Sequence, residues 1–201
     1  MTAHQRLPSY YFWWGERPDL MAQAWRLRHE CLVEHRGWPL QSVWTLEIDP
    51  YDEDARHCVV TEDGVVVGYA RANPTNKPHL LGECFASLLA SGQRPNSERV
   101  WEISRFVVAR QHPKQGPLLA TLIHRAMAMG PQVGAISLVA VIEPWMERAV
   151  RRQGYAPVAL SDWTNVGDRN GRPLFARVAE VLNSQCHGDL ATGNALAEAR
   201  K

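Results

Sequence analysis

A chain of 201 residues has room for one domain with a sizeable core. Its 22 basic and 21 acidic side chains leave a net charge of +1, so the strongly basic footprint of a nucleic-acid binder is absent. No apolar run approaches the ~20 residues of a membrane span, and no basic-then-apolar leader opens the chain. The four cysteines, Cys31, Cys58, Cys84 and Cys186, fall in no metal-ligand spacing. Reduced thiols in a cytoplasmic protein, and no metal site, are therefore expected.

Tyr10-Tyr-Phe-Trp-Trp14 reads as an edge strand or a docking arm. Pro18-Asp19 reads as a helix start with Asp19 as its N-cap. Leu20, Ala24, Leu27 and Cys31 give that helix a core stripe, Arg28 and Leu32 lie beside the stripe, and Gly37 ends it. Residues 37–56 have little periodicity and carry Trp38, Trp44 and the acidic run from Glu47 to Asp54. Such runs are commonly solvated, yet aromatics within this one point to a loop folded back over a site.

Residues 57–61 and 65–71 flank Glu62-Asp-Gly64, a strong hairpin signal, and Pro74 and Pro78 close the second strand. Residues 80–90 read as a short helix and 100–109 as a central strand. Gln111–Gly116 is a turn that puts Pro117 at the first position of a helix. Leu118, Leu119, Leu122, Ile123, Ala126 and Met127 form its apolar face, and Gly130-Pro131 closes it. Residues 135–142 are continuously apolar, as in a buried strand parallel to a neighbour. Glu143-Pro144 opens a helix with Met146, Ala149 and Val150 inward, Arg148, Arg151 and Arg152 outward, and Gly154 at its end. Residues 155–160 and 174–181 read as a last strand pair. The predicted fold is α/β (mixed α+β). It is one domain over 1–182, with a mixed sheet and helices on both faces, and 183–201 form a polar, mobile tail.

Val100-Trp-Glu-Ile-Ser-Arg-Phe106 stands out. It reads as a strand, but it buries an acid, Glu102, and a base, Arg105, which need partners or a function. Arg28, Asp49, Asp52 and Arg71 are the available partners. Residues three apart point to opposite faces of a regular strand. For Glu102 and Arg105 to share a site, the strand must bulge near Ser104.

Six fragments together resemble the acyl-homoserine-lactone synthase family, the LuxI-type autoinducer synthases. They are Arg28-His-Glu-Cys-Leu32, Arg36-Gly-Trp38, Glu47-Ile-Asp-Pro-Tyr-Asp52, Gly68-Tyr-Ala-Arg71 with Pro74-Thr75, Pro78-His-Leu-Leu81 with Phe85, and Trp101-Glu-Ile-Ser-Arg-Phe106. The likeness is dense over residues 25–108 and thins to element order beyond. It implies a GNAT-like N-acyltransferase fold. It also implies acylation of the amine of S-adenosylmethionine from acyl-carrier protein or acyl-CoA, then lactone closure with loss of methylthioadenosine. No cofactor is implied, since S-adenosylmethionine is a substrate. The carried-over motif positions are Arg28, Trp38, Asp49, Asp52, Arg71, Glu102 and Arg105. Leu32 stands where the family usually has phenylalanine, and it still supplies an apolar wall. Ala140 falls where makers of 3-oxo products tend to carry threonine, which implies an acyl group without that substituent.

The chemistry asks for the same residue types. Carboxylates such as Asp49 and Asp52 suit cationic groups, and an arginine such as Arg28 or Arg105 suits a substrate carboxylate. The amine needs a base: Glu102 is the first candidate because burial raises a carboxyl pKa, and Asp49 the second. Leu118, Leu122, Met127, Leu138, Ala140, Ile142 and Met146 are read as acyl-pocket candidates, with plain core packing as their alternative. Arg71 and Glu102 are equally readable as a structural ion pair, Arg28 as a surface residue, and Asp49 and Asp52 as residues that only shape a turn. Arg148, Arg151 and Arg152 suit either an acidic carrier protein or a solvated helix face. The competing functions are a general GNAT-type acyltransferase and a non-catalytic binder of S-adenosylmethionine. The turn 110–117 holds one glycine and a proline where the former group places a pyrophosphate loop.

Overall fold

Alternation of apolar and polar residues, broken by Asp-Gly and proline turns, yields a mixed sheet in the computed structural model, which describes residues 7–90, 93–169 and 172–182. Strands β1 (Ser9–Phe12), β4 (Arg56–Glu62), β5 (Val65–Pro74), β6 (Val100–Val108), β7 (Ser137–Ile142), β10 (Arg172–Leu182) and β8 (Val158–Ala159) lie side by side in that order. A further strand, β9 (Thr164–Arg169), pairs with the first half of β10. β6 and β7 run parallel and the other neighbours antiparallel. The Tyr10–Trp14 stretch supplies the edge strand β1, and Asp63-Gly64, both at positive φ, turns β4 into β5.

Helix α1 (Pro18–Arg28) covers one face, where Leu20, Leu27, Leu32, Val59, Tyr69 and Val107 pack together. Helix α3 (Gln115–Met127) covers the other through Leu118, Leu122 and Ala126. Helix α5 (Pro144–Arg152) follows β7, and Gly154 beyond it is left-handed, as a helix-ending glycine should be.

Several boundaries differ from the sequence reading. Arg17 holds the N-cap of α1, and Asp19 sits inside the first turn, where it pairs with Arg17 at 2.6 Å. After Arg28 the helix widens into π-helical turns over His29–His35 before the left-handed Gly37. α3 begins two residues before Pro117. Gly130-Pro131 belongs to a separate short turn, α4 (Met129–Gln132). Residues 80–90 split into α2 (Leu80–Glu83) and a 3-10 turn at Ala86–Leu88. Three strands, not two, complete the sheet. The aperiodic 37–56 stretch contains a hairpin of β2 (Ser42–Val43) and β3 (Leu46–Glu47), then a 3-10 turn at Pro50–Asp52. The tail 183–201 lies outside the described residues.

Two irregularities position the site. Between Tyr69 and Arg71 on β5 the partner register on β6 jumps from Val107 to Ser104. Three steps on β6 thus oppose two on β5, and Arg105 takes a φ of 52°. The bulge expected near Ser104 is there. The parallel β6–β7 pairing covers only Val100–Glu102 against Ser137–Val139, after which the strands part.

Candidate active site

The bulge brings Arg105 under the folded-back acidic loop. Its guanidinium reaches Glu47 at 3.0 Å and Asp49 at 2.7 Å. Arg28, at the C-terminal end of α1, contacts Glu47 at 2.5 Å and Asp52 at 2.7 Å, and stands 3.7 Å from Asp49. Arg71 grips both oxygens of Asp49, contacts Asp52 at 2.6 Å and donates from Nε to Ser104 Oγ at 2.9 Å. Three guanidiniums therefore interlock with three carboxylates, and the cluster is formally neutral.

Local structure holds the acids in place. Asp49 caps the 3-10 turn through the Tyr51 amide, while Asp52 accepts from the Asp49 amide, a reciprocal capping box. Trp25 Nε1 donates to Asp52 at 3.1 Å. Burial alone would raise the Asp52 carboxyl, but Arg28 and Arg71 outweigh it and hold it at about 2. A second layer lies beneath. His57 Nε2 is 3.0 Å from the Asp52 carbonyl and so carries the proton, leaving Nδ1 to accept from Tyr69 at 2.8 Å. The Tyr69 ring lies below the Arg28 guanidinium, 5.5 Å away. Burial pushes His57 down to about 4, so it is neutral.

Glu102 stands apart from this lattice. It is 1% exposed, and Oε1 accepts from the Leu81 amide at 2.9 Å. Its other oxygen is buried with no hydrogen-bond partner among the described residues. Burial raises its pKa to about 7, against the pull of the Leu81 amide, Arg71 and Arg105. A half-protonated carboxyl with an open oxygen can accept or deliver a proton near neutral pH. Arg28 Nη2 and Trp38 Nε1 are likewise buried without a hydrogen bond among the described residues. Unsatisfied groups of this kind are rare in a folded interior, and three of the seven among the described residues are these.

Glu102 and Arg105 also face a cavity of about 530 Å³ that opens where β6 and β7 part. Leu32 and Trp38 form its near wall; Leu138, Ala140, Ile142 and Met146 line its apolar depth. Leu122, expected there, is not in that wall. It packs beneath β5 instead, 3.6 Å from where a side chain at Gly68 would begin, and its neighbour Ile123 faces the cavity. Leu118 packs at the same place as Leu122, so these two belong to the core.

The structure thus brings Arg28, Asp49, Asp52, Arg71 and Arg105 into one cluster, with Glu102, Leu32 and Trp38 at its cavity side. Arg71 pairs with Asp49 and Asp52 rather than with Glu102, and Arg28 is fully buried rather than on the surface, while Asp49 and Asp52 do shape a turn as well as hold the arginines. Sequence reasoning misses Glu47 as a partner. It is 1% exposed and joins Arg28 to Arg105. Its signals are its place at the head of the acidic run and at the head of one of the six fragments, and neither names it as a partner of the arginines. Ser104, the acceptor for Arg71, lies inside the motif, where the sequence marks only the place of a bulge.

Comparison with known proteins gives the fold class and the family. The architecture is shared with an acyl-CoA N-acyltransferase from Pseudomonas aeruginosa, TM-score 0.58 over 86% of this chain and 99% of that one, at 18% identity. The fold is therefore GNAT-like. The autoinducer synthase family model matches residues 15–170, and the chain belongs to that family of quorum-signal-making acyltransferases. An acyl-homoserine-lactone synthase of Ralstonia solanacearum is 35% identical over 172 residues, 79% of this chain and 81% of that protein. The isovaleryl-homoserine lactone synthase of Bradyrhizobium diazoefficiens is 32% identical over 144 residues, 71% of this chain and 65% of that one. Among solved structures, a CoA-dependent acyl-homoserine lactone synthase with S-adenosylmethionine and isopentyl-CoA superposes with TM-score 0.73. It shares 25% identity and covers 88% of this chain and 83% of that one.

Proposed function

We propose that this chain joins S-adenosylmethionine to an acyl group from acyl-CoA or acyl-carrier protein and releases an acyl-homoserine lactone. The observation that carries this reading is the junction at Glu102. An open, near-neutral carboxyl sits in the wall of an apolar cavity beside a balanced cluster of six charges. S-adenosylmethionine carries a sulfonium, an ammonium and a carboxylate, a mix of signs that the cluster beside the cavity also presents.

Glu102 takes the proton from the ammonium and the freed amine attacks the thioester carbonyl. The thiol leaves, and an amide joins the acyl group to the methionine nitrogen. The substrate carboxylate then attacks its own γ-carbon. The carbon–sulfur bond breaks with its electron pair going to sulfur, and methylthioadenosine departs. Arg105 and Arg28 orient the carboxylate, Asp49, Asp52 and Arg71 hold the loop and the cationic groups, and Trp38 and Leu32 wall the substrate. Asp49 already faces three guanidiniums, which leaves the base role to Glu102.

The cavity side supports an aliphatic acyl group. Ala140 offers no hydroxyl to a 3-oxo oxygen, and Leu138, Ile142 and Met146 offer none either. The solved relative that holds isopentyl-CoA favours CoA as donor. Arg148 and Arg152, exposed on α5, keep an acidic carrier protein in play. Cys31, Cys58 and Cys84 are free thiols, which fits a reducing cytoplasm.

The test is turnover of the purified protein with S-adenosylmethionine and panels of acyl-CoAs and acyl-carrier proteins. Free thiol and methylthioadenosine appear in equal amounts if the reading holds. Thiol alone points to a general acyltransferase or a thioesterase, and neither product to a binding protein.

A further inference from the structure

Two charged side chains that line the cavity, Arg36 and Glu143, have no part in the chemistry above. Arg36 ends the π-helical turns that follow α1, and Glu143 is the N-cap of α5, just beyond β7. The two form an ion pair across a sequence separation of 107 residues. The Arg36 guanidinium also lies 5.4 Å from the Trp38 ring and 5.5 Å from the Trp145 ring. All four residues line the cavity. A guanidinium beside two indoles and tied to a carboxylate is a strong non-covalent clasp, worth more as water is excluded. It joins the turns after α1 to the junction of β7 and α5, two elements that no strand pairing connects.

We propose that Arg36 and Glu143 form a latch over the acyl-donor cavity, which must open to admit the donor and closes to keep water from the thioester. This deepens the synthase reading and rests on it, because the occupant is the acyl-pantetheine arm of that donor. The two arms of the latch come from different walls. Arg36 sits on the wall that carries Trp38, and Glu143 follows the strand that carries Ala140 and Ile142. Closing the latch therefore completes the apolar enclosure only when both walls are in place. The latch is only partly shielded, with side-chain exposures of 20% for Arg36 and 15% for Glu143, so salt weakens it.

The experiment measures entry directly. A non-hydrolysable octyl thioether of CoA is mixed with wild type, Arg36→Met, Glu143→Gln and the swapped pair R36E/E143R, and binding is followed by stopped-flow fluorescence. Circular dichroism and the urea midpoint, measured beside it, confirm that each variant is folded. The single variants should bind the thioether roughly fivefold faster or more, and the swapped pair should return toward wild type. Raising salt should speed the wild type and leave Arg36→Met unchanged. Turnover adds a second readout: the opened variants should release more thiol than methylthioadenosine, through hydrolysis of exposed thioester. Unchanged association rates in both single variants overturn the latch even if wild-type turnover proceeds, which leaves the synthase reading standing. Failure of all four proteins to bind the thioether, with no methylthioadenosine from acyl-CoA or acyl-carrier protein, overturns both.

Discussion

In the proposed reaction Glu102 carries the chemistry because it is poorly solvated. Its ordinary carboxyl value is raised to about 7 by burial, so the base is half ionised near neutral pH. Acylation should therefore rise with pH and level off above about 7, read from kcat/KM for the acyl donor. Glu102→Gln keeps an oxygen for the Leu81 amide but cannot take a proton; acylation should vanish while affinity for S-adenosylmethionine stays within severalfold. An active variant in a turnover assay would remove Glu102 from the base role. Glu47 makes the opposite case. It has no free oxygen to offer chemistry, yet it lies between Arg28 and Arg105, both buried. Glu47→Ala strips a countercharge from two enclosed guanidiniums, and breaking a buried pair in this way costs about 3–5 kcal/mol. Urea unfolding should show that loss, and Glu47→Gln, which retains an acceptor oxygen between the two arginines, should lose less. Glu102 is legible in the sequence because an acid interrupts an apolar strand. Glu47 is not legible because it opens a run of acids, where one buried member looks like the solvated rest.

At the scale of elements, the bulge in β6 is what lets one strand serve both halves of the site. The left-handed φ of 52° at Arg105 costs conformational energy, of order 1–2 kcal/mol for a residue with a β-carbon. That energy is offset by its contacts to Glu47 and Asp49. Arg105→Gly should remove the strain together with the contacts. Its stability loss should then be smaller than that of Arg105→Ala, by up to about 1 kcal/mol, while both variants lose S-adenosylmethionine binding. Equal stabilities in chemical denaturation would mean the backbone there is unstrained. The bulge is readable because two charges three residues apart cannot share a face of a flat strand, so a shared site demands it. The π-helical turns after α1 are not readable. Nothing in the spacing of His29–His35 announces a wider turn. The same limit explains Leu122 and Ile123. Both are apolar and adjacent on α3, and only the placement of β5 decides which packs beneath it and which faces the cavity.

Across the whole molecule, the site sets how stability responds to pH. Glu102 is raised in the folded state, from 4.5 to about 7, so between these values the native protein holds a proton that the unfolded chain has released. Its contribution is fully present below pH 4.5 and is lost as pH rises through about 7. His57 is depressed from 6.5 to about 4 by burial, so the unfolded chain holds the extra proton and stability is lost as pH falls through that window. Between pH 4.5 and 6.5 the two slopes have opposite sign and nearly equal size, and they flatten the profile. Glu102→Gln removes one of them. Relative to wild type it should gain stability steadily from pH 4.5 to 7, by as much as about 3 kcal/mol, since one proton held across one pH unit is worth about 1.4 kcal/mol. Chemical denaturation of both proteins at four pH values across that range measures the difference. A variant that is inactive and more stable at pH 8 than at pH 5, relative to wild type, would show that the fold is held below its stability maximum by the carboxylate it uses. A constant difference across the range would mean that Glu102 titrates as an ordinary exposed carboxyl, and it could not then serve as the near-neutral base that couples the charged cluster to the acyl cavity.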